Sequence, residues 1–129
     1  MKLLQSERPR TVGRLMLRTV ALVLILAGGL KLAELGAEDM VEGLKKAKLI
    51  QHVTLISVTA IVCGTLLLIP RTAALGLLMS TAYWGGAIVA HLTYDDSVVM
   101  PAVFLSLLWA GHWLYTGTLA IAAENRNTE

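Results

Sequence analysis

Four stretches of this chain, at about 15–33, 49–69, 73–92 and 98–122, are long, apolar and nearly free of charge. A helix needs about 20 apolar residues to cross ~30 Å of hydrocarbon. Inside lipid each backbone N–H and C=O must be bonded within its own segment, which leaves helices as the solution for runs of this length. The reading is an all-α fold, an integral membrane four-helix bundle. Composition agrees: of 129 residues 56% are apolar and 16% charged, against about 45–50% and 25% in soluble domains.

The punctuation between the runs sets their order in space. Pro70-Arg71-Thr72 is a tight stop that forces an antiparallel hairpin, and Thr93-Tyr94-Asp95-Asp96-Ser97 makes a second one. Residues 1–14 form a basic N-terminal segment, 15–122 the transmembrane domain and 123–129 a C-terminal tail. The first run follows basic residues as a signal peptide would. The residues after Gly29, Leu30-Lys31-Leu32-Ala33-Glu34, are no clean cleavage site, so it reads as a retained anchor.

Lys and Arg counts set the orientation. Seven of the eleven, namely Lys2, Arg8, Arg10, Arg14, Arg18, Arg71 and Arg126, fall on one side; Lys31, Lys45, Lys46 and Lys48 fall on the other. The richer side should be cytoplasmic, with both termini inside a bacterial inner membrane. The basic N-terminal cluster is therefore a topology signal, and no nucleic-acid partner is implied. The single cysteine, Cys63, lies within an apolar run and excludes an intramolecular disulfide.

Residues 34–48 differ in kind. Ala37, Met40, Val41, Leu44 and Ala47 recur at helical spacing with charges opposite, and Glu42 can pair with Lys46 one turn on. This predicts a short amphipathic helix between the first and second spans, lying at the outer interface or closing as a flap over a site between the helices. Small residues in every span (Gly28 and Gly29; Ala60 and Gly64; Gly76 and Ser80; Ala82, Gly86 and Ala90; Gly111) predict tight helix contacts. Some of these faces can serve a homo-oligomer.

Ionisable groups at membrane depth are functional candidates. Lys31 closes the first span, Gln51 and His52 open the second, and His91 closes the third, with Tyr94 just beyond it. Glu34 stands one turn from Lys31, within reach of pairing. Either these groups form an outward-facing polar pocket around Lys31 and His91, or they snorkel to the wet interface. His112, beside Trp109 on the fourth span, is either a core histidine bonded to a carbonyl or to Ser80 or Thr81, or a contact for an aromatic ligand. Trp84 is a further candidate. Metal-ligand spacing, phosphate loops and nucleophile–base arrangements are missing from the sequence, and Asp95-Asp96 reads as a solvated cap.

Three segments resemble a known family. Leu66-Leu67-Leu68-Ile69-Pro70-Arg71-Thr72-Ala73-Ala74-Leu75-Gly76, the Gly85-Gly86-Ala87 run ending at His91, and Gly28-Gly29-Leu30-Lys31-Leu32 look like the corresponding stretches of DoxX-like membrane proteins. Order and spacing agree from about residue 15 to residue 115. The resemblance implies a four-helix bundle in the bacterial inner membrane, with Lys31 and His91 matching the family's polar positions. Members include a subunit of a thiosulfate:quinone oxidoreductase, and similar bundles act as receptor chaperones or cargo receptors. Many relatives carry a glutamate about nine residues before the proline; here Ile61 stands there.

The functional expectation is a non-catalytic subunit or accessory protein binding a lipid-soluble ligand, such as a quinone, near the outer membrane face. With no redox centre of its own, the chain would support redox chemistry done by a partner subunit. The competing expectation is an assembly protein, a chaperone-like bundle that stabilises another membrane protein and takes no small molecule.

Overall fold

The computed structural model describes residues 2–34 and 38–117, with only the backbone for residues 2–7. All its regular elements are helical. They are α1 (Lys2–Ala33), α2 (Glu38–Lys46), α3 (Val53–Leu68), α4 (Ala73–Thr93) and α5 (Val99–Thr116), with single 3-10 turns at Ile50–His52 and Pro70–Thr72. Four segments, Arg8–Ala33, Ile50–Leu68, Pro70–Thr93 and Val99–Thr116, are long and apolar enough to cross a membrane.

Two helix ends are notable. The basic N-terminal segment continues α1, which runs back to Lys2 through Pro9. Helix α5 ends at Thr116, where Gly117 takes a left-handed conformation (φ 76°) and returns its N–H to the Trp113 carbonyl at 2.7 Å; glycine meets that conformation without a Cβ penalty. Ala37 and residues 118–129, the tail included, lie outside the described residues. Between α1 and α2 the amphipathic prediction takes shape as nine residues with an acidic first turn and a basic last turn, the arrangement that the helix dipole favours. Glu42 and Lys46 approach to 3.7 Å.

α1 packs against α3 and α5, and α4 packs against the same two helices. The buried core joins Val20 and Leu24 of α1, Ala60 and Cys63 of α3, Leu77 and Trp84 of α4 and Leu108 of α5. Outside this thin core the long helices present large apolar side chains outward: Leu26 is 62% exposed and Val89 61%. Hydroxyls in the helices turn back onto their own backbone: Thr19 donates to Leu15, Thr65 to Ile61, Thr81 to Leu77 and Ser106 to Ala102, each at 2.8 Å. Each such bond satisfies the hydroxyl within its own helix.

Small residues sort into two kinds. A Cβ on Gly28 would sit 2.6 Å from the Ser57 carbonyl oxygen, and one on Gly64 2.5 Å from that of Ala21, so α1 and α3 touch backbone to backbone at two levels. Gly13 and Gly111 do the same for α1 and α5, and Gly76 sits against Leu66 and Leu67 at the Pro70 turn. Gly29, Gly85 and Gly86, by contrast, face nothing within 4 Å.

Alanine raises intrinsic helix stability over glycine by about 1 kcal/mol, so the packing difference is directly measurable. Gly29→Ala should raise the melting temperature of the purified protein in detergent. Gly28→Ala should lower it, because forcing atoms into a filled contact costs about 1–3 kcal/mol. Equal responses would show that α1 and α3 are not in close contact.

Candidate functional site

The glycine contacts explain where space is left. Gly76 holds α3 to α4 at the Pro70 end, whereas Ala82, Gly86 and Ala90 of α4 line open space, and a Cβ on Gly86 would meet nothing within 4 Å. The two helices part toward the Lys31 end, and a cavity of about 1000 Å³ opens between them. Val23, Ala27 and Lys31 of α1 form its back, and Pro101 and Phe104 of α5 its side. Across its end lies α2, presenting Met40, Gly43 and Leu44, with Ala47 just beyond it. Gly43 allows this approach, since a Cβ there would stand 3.0 Å from the Tyr94 hydroxyl. Residues of α2 thus line one end of the cavity.

The wall is mostly apolar, with a few polar groups converging. Lys31 is 8% exposed and its Nζ donates to the Tyr83 hydroxyl at 3.2 Å. Among the described residues no carboxylate lies within 4 Å of it. Glu34 does not pair with it, because the chain turns at Glu34 into the left-handed region (φ 55°) and the side chain is exposed. Glu34 lines instead a smaller hollow of about 390 Å³ with Lys31, Glu38 and Lys45.

Trp84, 8% exposed, stacks on Phe104 (ring centroids 4.9 Å apart, planes at 15°) and meets Tyr83 edge-on at 5.5 Å. Its indole Nε1 is buried without a hydrogen-bond partner. Buried polar groups are nearly always bonded, and this N–H, on a residue that lines the cavity, has no acceptor among the described residues. Tyr83, having accepted from Lys31, keeps its own O–H to give.

His91 lines the same cavity, Nδ1 being 3.2 Å from an oxygen of Asp96 but out of line for a hydrogen bond. The Asp96 carboxylate also accepts the Ser97 N–H at 2.8 Å, and Ser97 Oγ in turn accepts the Val99 N–H at the start of α5. Tyr94 stands 5.4 Å from the His91 ring. Burial, and then the negative charge of Asp96, push its phenol above the ordinary tyrosine range.

The sequence candidates therefore divide. Lys31, Trp84, His91, Tyr94 and His52 share the cavity, whereas Gln51 is exposed and its amide meets His52 Nε2 at 3.2 Å. Trp109 and His112 are not part of the cavity wall. Trp109 donates to the Thr81 hydroxyl at 3.1 Å, and its ring meets that of His112 edge-on at 5.9 Å. Ile61 packs against Gly28. Tyr83 escaped the sequence reading. Its signal was there: Tyr83, Ala87 and Tyr94 share one helical face.

Together these groups offer N–H and O–H donors to a mostly apolar chamber, which suits a molecule that is apolar in bulk and carries oxygen acceptors. Retaining a buried ammonium with only a phenol for company costs stability in the empty protein. Lys31→Met should accordingly leave the melting temperature of the ligand-free protein unchanged or raise it, by an amount on the order of 1 kcal/mol. A large drop would make Lys31 a structural residue. No family model, curated protein or solved structure matches the chain, so the site is read from its own geometry.

Proposed function

We propose that this chain is a DoxX-like integral membrane protein, a four-helix bundle of the bacterial inner membrane that binds a lipid-soluble ligand through hydrogen-bond acceptors on its head. A quinone is the leading case. The observation that carries this reading is the meeting of Lys31, Tyr83 and the unpartnered Trp84 indole in one apolar cavity. Charge-assisted bonds from a lysine to a carbonyl oxygen exceed neutral ones in strength, and a buried ammonium lacking a carboxylate has that capacity unspent. His91 adds an imidazole to the same wall. The redox step itself belongs to a partner subunit.

A benzoquinone carrying a decyl chain tests the reading. Saturating it to 100 times its Kd should stabilise the purified protein by about 2.7 kcal/mol, seen as a rise in melting temperature. The Lys31→Met, His91→Leu double variant should lose that shift. Trp84→Phe keeps the stack on Phe104 but removes one donor, and should weaken binding about 3- to 10-fold, the worth of one net hydrogen bond. No shift for the wild type, or an equal shift in the double variant, would leave the chain read as an assembly protein. Gly29 and Gly85, open to the outside, would then be surfaces for another helix.

Orientation belongs to the same proposal. Arg8, Arg10, Arg14 and Arg18 precede or open the first span, and Arg71 sits at the α3–α4 turn. Carrying each across the bilayer centre costs about 2.5–3.5 kcal/mol on insertion scales. The cavity mouth at Asp95 and Asp96 then faces outward. Single cysteines at Ser6, Asp96 and Thr128 in a Cys63→Ala background should react with a membrane-impermeant maleimide on intact cells only at position 96. Labelling at 6 or 128 would invert the topology.

A further inference from the structure

The cavity has two unlike margins. Its end beneath α2 is polar, carrying Asp39, Glu42, His52, Asp95 and Asp96. Its flank between α3 and α4 is apolar, made by Leu55 and Thr59 on one helix and Ala82 and Gly86 on the other. That flank is open. Leu55 is 65% exposed though it lines the cavity, Ala82 and Gly86 are exposed as well, and a Cβ added at Gly86 would meet nothing within 4 Å. The small residues that elsewhere bring helices together here hold a slot open at the level of the hydrocarbon. At its inner side stands the buried, unpartnered Trp84 indole. A head bonded at Lys31, Tyr83 and Trp84 would have its remaining bulk directed along this slot.

Resting on the binding function proposed above, we infer that the ligand carries a long flexible apolar chain, that it reaches the cavity sideways from the bilayer between α3 and α4, and that the chain stays in the Ala82–Gly86 slot while the head is bound. Gly86 sets the width of the slot and so discriminates a chain-bearing ligand from a bare head. Filling it with a side chain blocks the tail and leaves the donors of the head site untouched. Neighbouring Gly85 supplies a matched control, since it too faces open space but does not line the cavity.

The experiment compares the decyl-chain benzoquinone with the same ring lacking the chain. Binding is read as quenching of Trp84 fluorescence in a Trp109→Phe, Trp113→Phe background, with the melting temperature as a second readout. Wild type and Gly85→Leu should bind the chain-bearing molecule about 10-fold tighter than the bare ring, a difference of about 1.4 kcal/mol. Gly86→Leu should bind the two alike, its affinity for the ring unchanged, and Ala82→Leu should narrow the ratio in the same direction. A Gly86→Leu protein that keeps the 10-fold ratio, or that loses the bare ring as well, overturns the slot while the head site stands. A wild type that binds neither molecule overturns the head site, and the slot with it.

Discussion

The close approach of α1 to α3 is the contact on which the rest of the structure depends. Helices apolar enough to cross a membrane gain little there from the hydrophobic effect on associating, and van der Waals contact at short range is what holds such helices together. Gly28 against Ser57 and Gly64 against Ala21 provide that contact at two levels, and two levels fix both the spacing and the rotation of α1. Rotation matters because Lys31 lies three residues beyond Gly28. With Gly28 turned to α3, Lys31 lies within 3.2 Å of a tyrosine on α4, and Leu26 and Leu30 face outward.

The cavity follows from where such contacts stop. α3 and α4 are joined by the Pro70 turn and held by Gly76, and one further glycine contact higher up would have closed them. Instead, Ala82, Gly86 and Ala90 line the cavity, while Trp84 is stacked on Phe104 of α5. The fold is therefore tight at the Arg14 end, where Gly13 meets Gly111, and open at the Lys31 end. A bundle so arranged leaves room without strain, because each helix still satisfies its own backbone.

The polar groups of the open end stand against the habit of the rest of the molecule. Thr19, Thr65, Thr81 and Ser106 all return their hydroxyls to their own helices. Lys31 and Trp84 do otherwise: Lys31 donates across to Tyr83 on α4, and the Trp84 indole N–H has no acceptor among the described residues. Each is retained at a cost to the empty protein, and both lie on one chamber.

By itself the sequence determined the number of long helices, the positions of the tight turns at Pro70 and Asp95, and the amphipathic helix before α3. Those features follow from local patterns, since an apolar run in lipid has no alternative to a helix and a charged turn has no place inside one. It also put Lys31 and His91 at the same end, because helix direction alternates from span to span. Tertiary structure decided which small residues touch and which line a space. Gly28 and Gly29, or Gly76 and Gly86, are alike in sequence and opposite in environment, and only helix rotation separates them. It decided that Glu34 turns away from Lys31, and that the ammonium's partner is Tyr83, 52 residues distant. A local pattern fixes what a segment becomes; which face meets which is set by contacts between segments, and no single segment encodes them.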